Sequence, residues 1–319
     1  MFSEIGEKYQ HLCIIQAENP DGDSIGAATA LYNYYPQEVT LYCPVNIPRY
    51  LRYFKDWSVI SPEFDFKADA YIIVDTNSSL LLSRLIDDKA ILNRLTHAPV
   101  YVIDHHETAS DLPFDFTDLS DIRSSCCEVI YDLIKQTTDQ ITPEVAENLA
   151  YGIEADTLGL TTATISPRTF HTMGDLLSSG IDIADMEERR RQLMKKSPRI
   201  LQYKADLIKR VEYFLDGKLA MVHVPWSEIE EYSDEYNPGA LIIEELRLVE
   251  GVEVAICIKT YPDGRLTGKI RTTTPVAEQL ASYFGGGGHP YASGFRTYGL
   301  SYDEAVKEII SALSKITQA

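Results

Sequence analysis

The sequence predicts an α/β fold, with a doubly wound, mostly parallel sheet in an N-terminal domain and a smaller α/β domain after it. In the first half of the chain, short apolar segments alternate with helical ones, as in sheets that helices cover on both faces. In the last third, strand-like segments follow one another more closely and turn residues join them. We place the N-terminal domain at residues 1–185, a helical linker at 186–215 and the C-terminal domain at 216–319.

The N-terminal sheet is predicted from four short runs of β-branched and aromatic residues, each suited to a strand buried on both faces. These runs are Leu12–Ala17, Val39–Cys43, Ala70–Val74 and Val100–Ile103. Helices are predicted from near Ser24 and over residues 80–94, 125–135 and 142–154. The last one has Thr142 as its N-cap and Pro143 in its first turn, which are favoured residues at those positions.

The linker region is predicted to be helical and charged. A helix begins at Ser166-Pro167 and ends at Gly180, and a second helical stretch covers residues 183–210. The second stretch contains the basic segment 189–196. Such a run is usually a solvated helix face, and we favour that interpretation over a nucleic-acid contact.

The C-terminal domain is predicted from three strands, one tight turn and two helices. A helix over residues 274–284 precedes the glycine run Gly285–Gly288, and the closing helix over 302–316 opens with Ser301 and Glu304 in a capping box. The turn sequence Tyr-Pro-Asp-Gly at 261–264 joins the second and third strands. The strands are Leu219–Val224, Val252–Lys259 and Leu266–Arg271.

The composition limits the classes of partner. The formal net charge of -19 repels polyanions at long range, so we expect no long duplex nucleic acid as a partner. A small anionic substrate remains compatible if a local site overcomes that field. No signal peptide or membrane span is expected, and the five cysteines form no C-x-x-C pair. We therefore expect a cytoplasmic protein with reduced thiols and no membrane partner; a homodimer is left open.

Acidic residues recur where the predicted strands end. Because the carboxyl ends of parallel strands share one edge of a sheet, these side chains are expected to converge. Several carboxylates in one cleft would repel each other by several kcal/mol unless cations neutralised them, so the set predicts a metal site. The set comprises Asp21, Asp23, Asp75, Asp104, His105 and His106, with Asp156 at the end of a predicted helix.

These residues resemble the motifs of the DHH phosphoesterase family. The matching segments are Asn19–Gly26, Val74-Asp75, Asp104–His106 and Gly152–Thr157, with Gly285–His289 and Ala292–Gly294 resembling the glycine-rich motif of the DHH-associated C-terminal domain. Arg271 matches the arginine that precedes that motif. The order and spacing are similar to the nano-RNase/pAp-phosphatase branch over nearly the whole chain.

The resemblance implies two-metal hydrolysis of a phosphoester, commonly with manganese, although magnesium is compatible. Asp75 would bridge the ions, with Asp21 on one and Asp23, His105 and Asp156 on the other. His106 would act at the scissile phosphate and Asp104 would orient the histidines. The predicted substrate contacts are Arg271, Gly286, Gly287, Gly288 and His289, with the glycine N–H groups cradling a terminal phosphate.

One position departs from the family pattern, because Ala17 stands where members usually carry histidine. Glu18, near the strand end, is a conceivable substitute. Two hypotheses follow: the first ion is held weakly in an all-oxygen shell that tolerates magnesium, or it is recruited together with the substrate.

Three functions remain open from the sequence. The leading one is hydrolysis of short oligonucleotides (3′→5′), dinucleotides such as pApA, or 3′-phosphoadenosine 5′-phosphate (pAp). The second keeps the hydrolase class but takes pyrophosphate or polyphosphate. The third is a nucleotide-binding protein that has lost catalysis together with the first-motif histidine.

Overall fold

The computed structural model describes residues 2–138 and 140–316, and the chain divides into two compact units, Met1–Met194 and Lys195–Ala319. Both units are α/β, as predicted. Among the helices of the described ranges, none combines the length and apolar character needed to cross a bilayer.

The first unit contains a six-stranded sheet in which every neighbouring pair is parallel. Its order is β3-β2-β1-β4-β5-β6, so the chain leaves β1 toward one side of the sheet and β4 toward the other. The prediction of a doubly wound parallel sheet is confirmed. The strands are β1 (His11–Ile15), β2 (Glu38–Tyr42), β3 (Ile60–Ser61), β4 (Ala70–Val74), β5 (Val100–Ile103) and β6 (Thr117–Asp118).

Helices cover both faces of this sheet. Ile14 and Ile72 belong to the core on one face, whereas Ile15 and Ile73 belong to the core on the other, so the central strands β1 and β4 bury apolar side chains on both faces. The helices are α1 (Phe2–Lys8), α2 (Gly22–Tyr34), α3 (Ser83–Asp87), α4 (Lys89–His97), α5 (Cys126–Lys135), α6 (Pro143–Asp156), α7 (Pro167–Ser178) and α8 (Ile183–Met194), with short 3-10 turns at Arg49–Leu51 and Trp57–Val59.

The predicted helix over 80–94 is wrong, because the segment forms the separate helices α3 and α4. Asp88 lies between them with extended backbone, and its carboxylate accepts hydrogen bonds from the backbone N–H of Ala90 at 2.8 Å and of Ile91 at 3.2 Å. An N-cap aspartate satisfies N–H groups that a continuous helix would bond to the preceding turn, so it starts a new helix.

The second unit contains a mixed six-stranded sheet of order β11-β12-β10-β9-β8-β7, in which only β8 and β9 pair in parallel. Its strands are β7 (Glu212–Phe214), β8 (Leu219–Val224), β9 (Val254–Thr260), β10 (Arg265–Thr272), β11 (Gly287–His289) and β12 (Ala292–Tyr298). Its helices are α9 (Pro198–Lys209), α10 (Trp226–Tyr232), α11 (Pro238–Arg247), α12 (Ala277–Tyr283) and α13 (Tyr302–Ile316).

The helical stretch predicted over 183–210 is interrupted. Ser197 caps α9 by accepting from the backbone N–H of Ile200 at 3.2 Å, and Pro198 cannot continue α8 because it lacks an N–H. The two resulting helices fall in different units. The division of roles between a catalytic and a substrate-binding domain therefore stays a prediction.

The glycine run leads into a strand that the sequence analysis did not predict. Residues 287–289 form the edge strand β11, paired antiparallel with β12. A Cβ atom added to Gly286 would lie 2.2 Å from the carbonyl oxygen of Gly294, and Gly288 has φ +139°. Glycine is required at these two positions by the close approach of β12, independently of any ligand.

Candidate metal centre

Asp23 is fixed by the beginning of α5. It lies in the first turn of α2 and is 1% exposed. Its two carboxylate oxygens accept hydrogen bonds from the backbone N–H groups of Cys126 at 2.6 Å and of Cys127 at 3.0 Å. A carboxylate at a helix N-terminus is stabilised by the helix dipole. Burial, and then the charge of Asp21, nevertheless raise the pKa of Asp23 to about 6.

Asp75 follows β4 directly and has a left-handed backbone, with φ 61°. This conformation costs a non-glycine residue about 1 kcal/mol or more, and the hydrogen bond from its N–H to the carbonyl of Ile103 at 2.9 Å holds it in place. Burial, and then the charges of Asp21 and Asp23, raise the pKa of Asp75 well above its ordinary value.

His105 faces three carboxylates with one nitrogen. Its Nδ1 lies 3.3 Å from the carbonyl oxygen of Arg123, and because a carbonyl only accepts, the proton resides on Nδ1. Its Nε2 lies 3.5 Å from Asp75 Oδ1, 3.8 Å from Asp156 Oδ2 and 3.9 Å from Asp23 Oδ2. Burial, and then the charge of His106, lower the pKa of His105. A neutral Nε2 aimed at carboxylates is the form that binds a metal.

Asp156 completes the convergence from the end of α6. Ligand atoms of Asp23, His105 and Asp156 all lie within 4.8 Å of one another, and so do those of Asp75, His105 and His106. Burial, and then the charge of Asp23, raise the pKa of Asp156 to about 7. The carboxylates of Asp23, Asp75 and Asp156 therefore lie close enough to repel one another, as expected from their positions in the sequence.

His106 and Asp104 form a second pair beside this group. The Nδ1–H of His106 donates to Asp104 Oδ1 at 2.7 Å, and the fully buried Asp104 also accepts from the backbone N–H of His105 at 2.8 Å. Burial acts to lower the pKa of His106, but the hydrogen bond to Asp104 raises it overall. Asp104 thus holds the imidazole of His106 and the backbone of His105.

Asp21 lies at the start of α2, and its role as a metal ligand stays a prediction. Its carboxylate caps α2, accepting from the backbone N–H of Ser24 at 3.0 Å, and it is exposed. It belongs to neither group of close ligand atoms in the described part of the chain, although its charge acts on Asp23 and Asp75.

Glu18 does not substitute for the missing histidine at Ala17. One of its carboxylate oxygens accepts a hydrogen bond from the hydroxyl of Ser83 at 2.6 Å, and the other lies 3.2 Å from Arg84 Nε. Both partners belong to α3. The alternative that Glu18 turns into the metal centre is therefore wrong for this conformation.

The sequence did not reveal the groups that hold the acidic residues. The N–H groups of Cys126 and Cys127 and the carbonyl of Arg123 act through the backbone, so their residue types carry no trace of the role. Only the predicted helix start near Ser125 could have indicated them, since a helix N-terminus offers unpaired N–H groups to a carboxylate.

The residues predicted to contact substrate in the second unit lie on β10 and along the edge strand β11, with β12 between these two strands. Arg271 on β10 donates from Nε to Glu244 Oε1 at 3.2 Å, so it is already paired with a carboxylate. His289 pairs in register with Ala292, and the glycines 286–288 lie along the same edge of the sheet. All five predicted contacts thus belong to one region of this unit.

The donor set fits a hard divalent cation. Three carboxylates and one neutral imidazole nitrogen are the ligands that manganese or magnesium accept, and no thiolate takes part. Cys126 and Cys127 lie nearby, but burial raises the pKa of both thiols well above the ordinary value. The carboxylates with raised pKa are the ones that a cation would convert to their ionised form.

A parallel sheet with an aspartate–histidine centre at its carboxyl edge is an arrangement that fits a metal-dependent hydrolase. Residues 11–153 match the family model described as the DHH family, N-terminal domain.

Relatives with described activities cover nearly the whole chain. The bifunctional oligoribonuclease and PAP phosphatase NrnA of Thermus thermophilus is 25% identical over 306 residues, covering 94% of this chain and 89% of the relative. The probable bifunctional oligoribonuclease and PAP phosphatase NrnA of Streptococcus mutans is 24% identical over 311 residues, with 96% of each chain covered. The crystal structure of an exopolyphosphatase-related protein from Bacteroides fragilis has the same fold, with a TM-score of 0.84 at 23% identity over 98% of this chain and 94% of that one.

Proposed function

We propose that the protein hydrolyses short oligonucleotides or dinucleotides in the 3′→5′ direction, pAp, or both, with a divalent metal ion, and that manganese is the preferred ion. The convergence of Asp23, Asp75, His105 and Asp156 supports the chemistry. The similarity to the two bifunctional oligoribonuclease and PAP phosphatase relatives supports the substrate class. The net charge of -19 agrees with short substrates, because long strands would be repelled.

When bound, the metal supplies charge neutralisation for the phosphoryl oxygens and a water of lowered pKa. Asp23, His105 and Asp156 would hold one ion, and Asp75, which lies within reach of the same imidazole, would contribute to it or to a second ion. With Ala17 in place of histidine and Asp21 capping α2, a second ion would have few protein ligands. We therefore include in the proposal that it binds more weakly or arrives with the substrate.

The protein residues supply orientation and a proton. Asp104 holds His106 by the 2.7 Å hydrogen bond to Nδ1 and raises its pKa, which favours a protonated imidazole. A protonated His106 would donate from Nε2 to a phosphate oxygen or to the leaving oxygen of the ester. The backbone N–H groups of α5 keep Asp23 in one orientation throughout.

A cytoplasmic location is part of the proposal. All five cysteines are buried and free, as expected for a chain that folds where thiols stay reduced.

The test is a substrate panel assayed with manganese, magnesium and cobalt in turn. The panel contains pAp, pApA, cyclic dinucleotides, short RNA, pyrophosphate and polyphosphate. Wild-type protein is compared with Asp75→Asn and with the control Asp87→Asn, which changes an exposed aspartate at the end of α3. We expect turnover of pAp or pApA in manganese, an at least about 1,000-fold lower rate in Asp75→Asn, and no change in the control.

Other outcomes would overturn the proposal in identifiable ways. Turnover confined to pyrophosphate or polyphosphate would assign the second function. Saturable binding of pAp without turnover in any metal would assign the third. Calorimetric titration of manganese that gave two equally tight sites would refute the weak second ion.

A further inference from the structure

One face of the sheet in the second unit concentrates positive charge in a strongly acidic chain. Lys259 on β9, Lys269 and Arg271 on β10, and Arg296 on β12 lie on the same face, because the register pairs Lys259 with Thr267 and Thr267 with Arg296. Cross-strand partners and alternate residues of a strand share a face. Helix α11 covers this face over β9, where an added Cβ on its Gly239 would lie 3.5 Å from Lys259 Cε.

Beyond α11, two glycines form an open floor on this face. Gly287, Gly294 and Lys269 stand in one row across three strands, since Gly287 pairs with Gly294 and Gly294 with Lys269. A Cβ added to Gly287 would meet nothing within 4 Å, and one added to Gly294 would meet only the carbonyl oxygen of Gly268, at 3.3 Å. We call Gly287 and Gly294 the glycine floor.

The open space above the glycine floor contrasts with the packing at Gly286, where an added Cβ would lie 2.2 Å from a backbone oxygen. Strand packing therefore explains the glycine at Gly286 and disfavours a side chain at Gly294, where the 3.3 Å contact is tight, but it does not explain the glycine at Gly287. A residue without a side chain on an open sheet face leaves room for a flat ligand to lie directly on the backbone.

Lys269 lies among the other cations of this face, and the charge of Glu244, which pairs with Arg271, acts on it as well. Arg271 is paired with Glu244, and Lys259 donates to Asn237 Oδ1 at 2.8 Å. Within residues 2–138 and 140–316, the side chain of Lys269 makes no hydrogen bond and no ion pair at short distance. Burial, and then the charge of Arg271, lower the pKa of Lys269 to about 8. A half-buried ammonium group next to other cations is stabilised most by a bound anion.

We propose that Lys269 is a specificity-determining residue that binds a second phosphate group of a nucleotide lying over the glycine floor. Its ammonium group offers three donors to phosphate oxygens, and Arg296 borders the same floor from β12. The protein would then distinguish nucleotides with two phosphate groups from those with one. This inference rests on the proposed function, because it assigns part of the recognition of that substrate.

The experiment measures binding without turnover. Calorimetric titration of the full chain in EDTA compares pAp with adenosine 5′-monophosphate, for wild type, Lys269→Gln, Lys269→Arg and the control Lys307→Gln. Lys307 is an exposed lysine of α13. Thermal melts confirm that each variant folds. We expect Lys269→Gln to weaken binding of pAp by about 10-fold or more, and binding of the monophosphate by less than about threefold. Lys269→Arg should recover most of the affinity for pAp, and Lys307→Gln should match wild type.

The possible failures are separable. Equal affinity of wild type and Lys269→Gln for pAp would overturn the inference, and so would an equal loss for both ligands, since Lys269 would then not select a second phosphate. If wild type hydrolyses none of the panel substrates but Lys269 still discriminates pAp from the monophosphate, the proposed function fails and the inference stands. If wild type hydrolyses the panel substrates but its discrimination between pAp and the monophosphate does not depend on Lys269, the proposed function stands and the inference fails.

Discussion

Replacing Asp156 by asparagine should stabilise the metal-free protein, although it removes a residue of the candidate metal centre. Ligand atoms of Asp156 and Asp23 lie within 4.8 Å of each other. Two like unit charges at that separation repel by about 3 kcal/mol at an effective dielectric constant of about 20. Asparagine has nearly the same shape and no charge, so the repulsion disappears.

The pKa of Asp156 gives a similar magnitude by an independent route. Burial, and then the charge of Asp23, raise it from 3.8 to about 7. A raised pKa means that the folded protein keeps a proton that the unfolded chain releases. The contribution of Asp156 to the free energy of unfolding is therefore fully present below about pH 4 and is lost as the pH rises to about 7. The loss amounts to about 4 kcal/mol at pH 8 and about half of that at pH 5.5.

The assay is thermal unfolding followed by circular dichroism in EDTA, for wild type, Asp156→Asn and the control Asp87→Asn. At pH 8 we expect Asp156→Asn to unfold about 6–12 °C higher than wild type, because 1 kcal/mol shifts a domain of this size by about 2–4 °C. The gain should shrink by about half at pH 5.5, and saturating manganese should stabilise the wild type more than the variant. A variant less stable than wild type at pH 8, or a gain that does not shrink toward acid pH, would refute the electrostatic reasoning.

Three further predictions follow from other contacts. Asp104→Asn removes the negative charge that helps to raise the pKa of His106 and weakens the hydrogen bond to Nδ1, so we expect kcat on pApA to fall about 10- to 100-fold with little change in KM. An unchanged kcat in steady-state assays would contradict this role of Asp104. Gly286→Ala should lower the free energy of unfolding, measured in urea, by about 1–3 kcal/mol, because the added Cβ would clash with β12. The matched Gly287→Ala should stay within about 0.5 kcal/mol of wild type, because its Cβ would meet no atom. Equal losses in the two variants would contradict this account of the strand packing. Because the pKa of Asp23 is raised to about 6, the melting temperature of metal-free wild type should fall between pH 5 and pH 8. Saturating manganese should flatten or reverse this fall. If the melting temperature falls equally with manganese present, Asp23 is not a metal ligand.

The sequence predicted the inner strands of both sheets, apart from β12, and missed the edge strands. Ala70–Val74 and Val100–Ile103 are predicted to the residue, because a continuous apolar run of that length has little alternative to a buried strand. Strands β3 and β6 have two residues each, and β7 is mostly exposed, so no periodicity marks them. They exist because neighbouring strands offer them hydrogen bonds.

The candidate site shows a similar division. The sequence predicted that acidic residues would meet at the sheet edge, because they follow strands. It did not predict that Asp21 would cap α2 while Asp23 would face α5. This difference depends on α2 beginning at Gly22, two residues before the predicted start, which makes Asp21 the N-cap and turns Asp23 toward α5. Helix boundaries are set by caps and tertiary contacts, and a shift of one or two residues rotates side chains to another face.

The strand order explains why residues so far apart in sequence form one centre. Strands β1 and β4 are neighbours, yet the chain leaves them in opposite directions, so no connection crosses the gap between their carboxyl ends. The first turn of α2 brings Asp23 to this gap, and the left-handed backbone at Asp75 places a second carboxylate within 3.5 Å of His105. The strain at Asp75 and the repulsion among the carboxylates are tolerated because the fully buried strands beneath them do not yield. A centre of this kind is held together by its scaffold when empty of cations and by its ligands when they are bound, which is why stability and metal affinity should respond oppositely to Asp156→Asn.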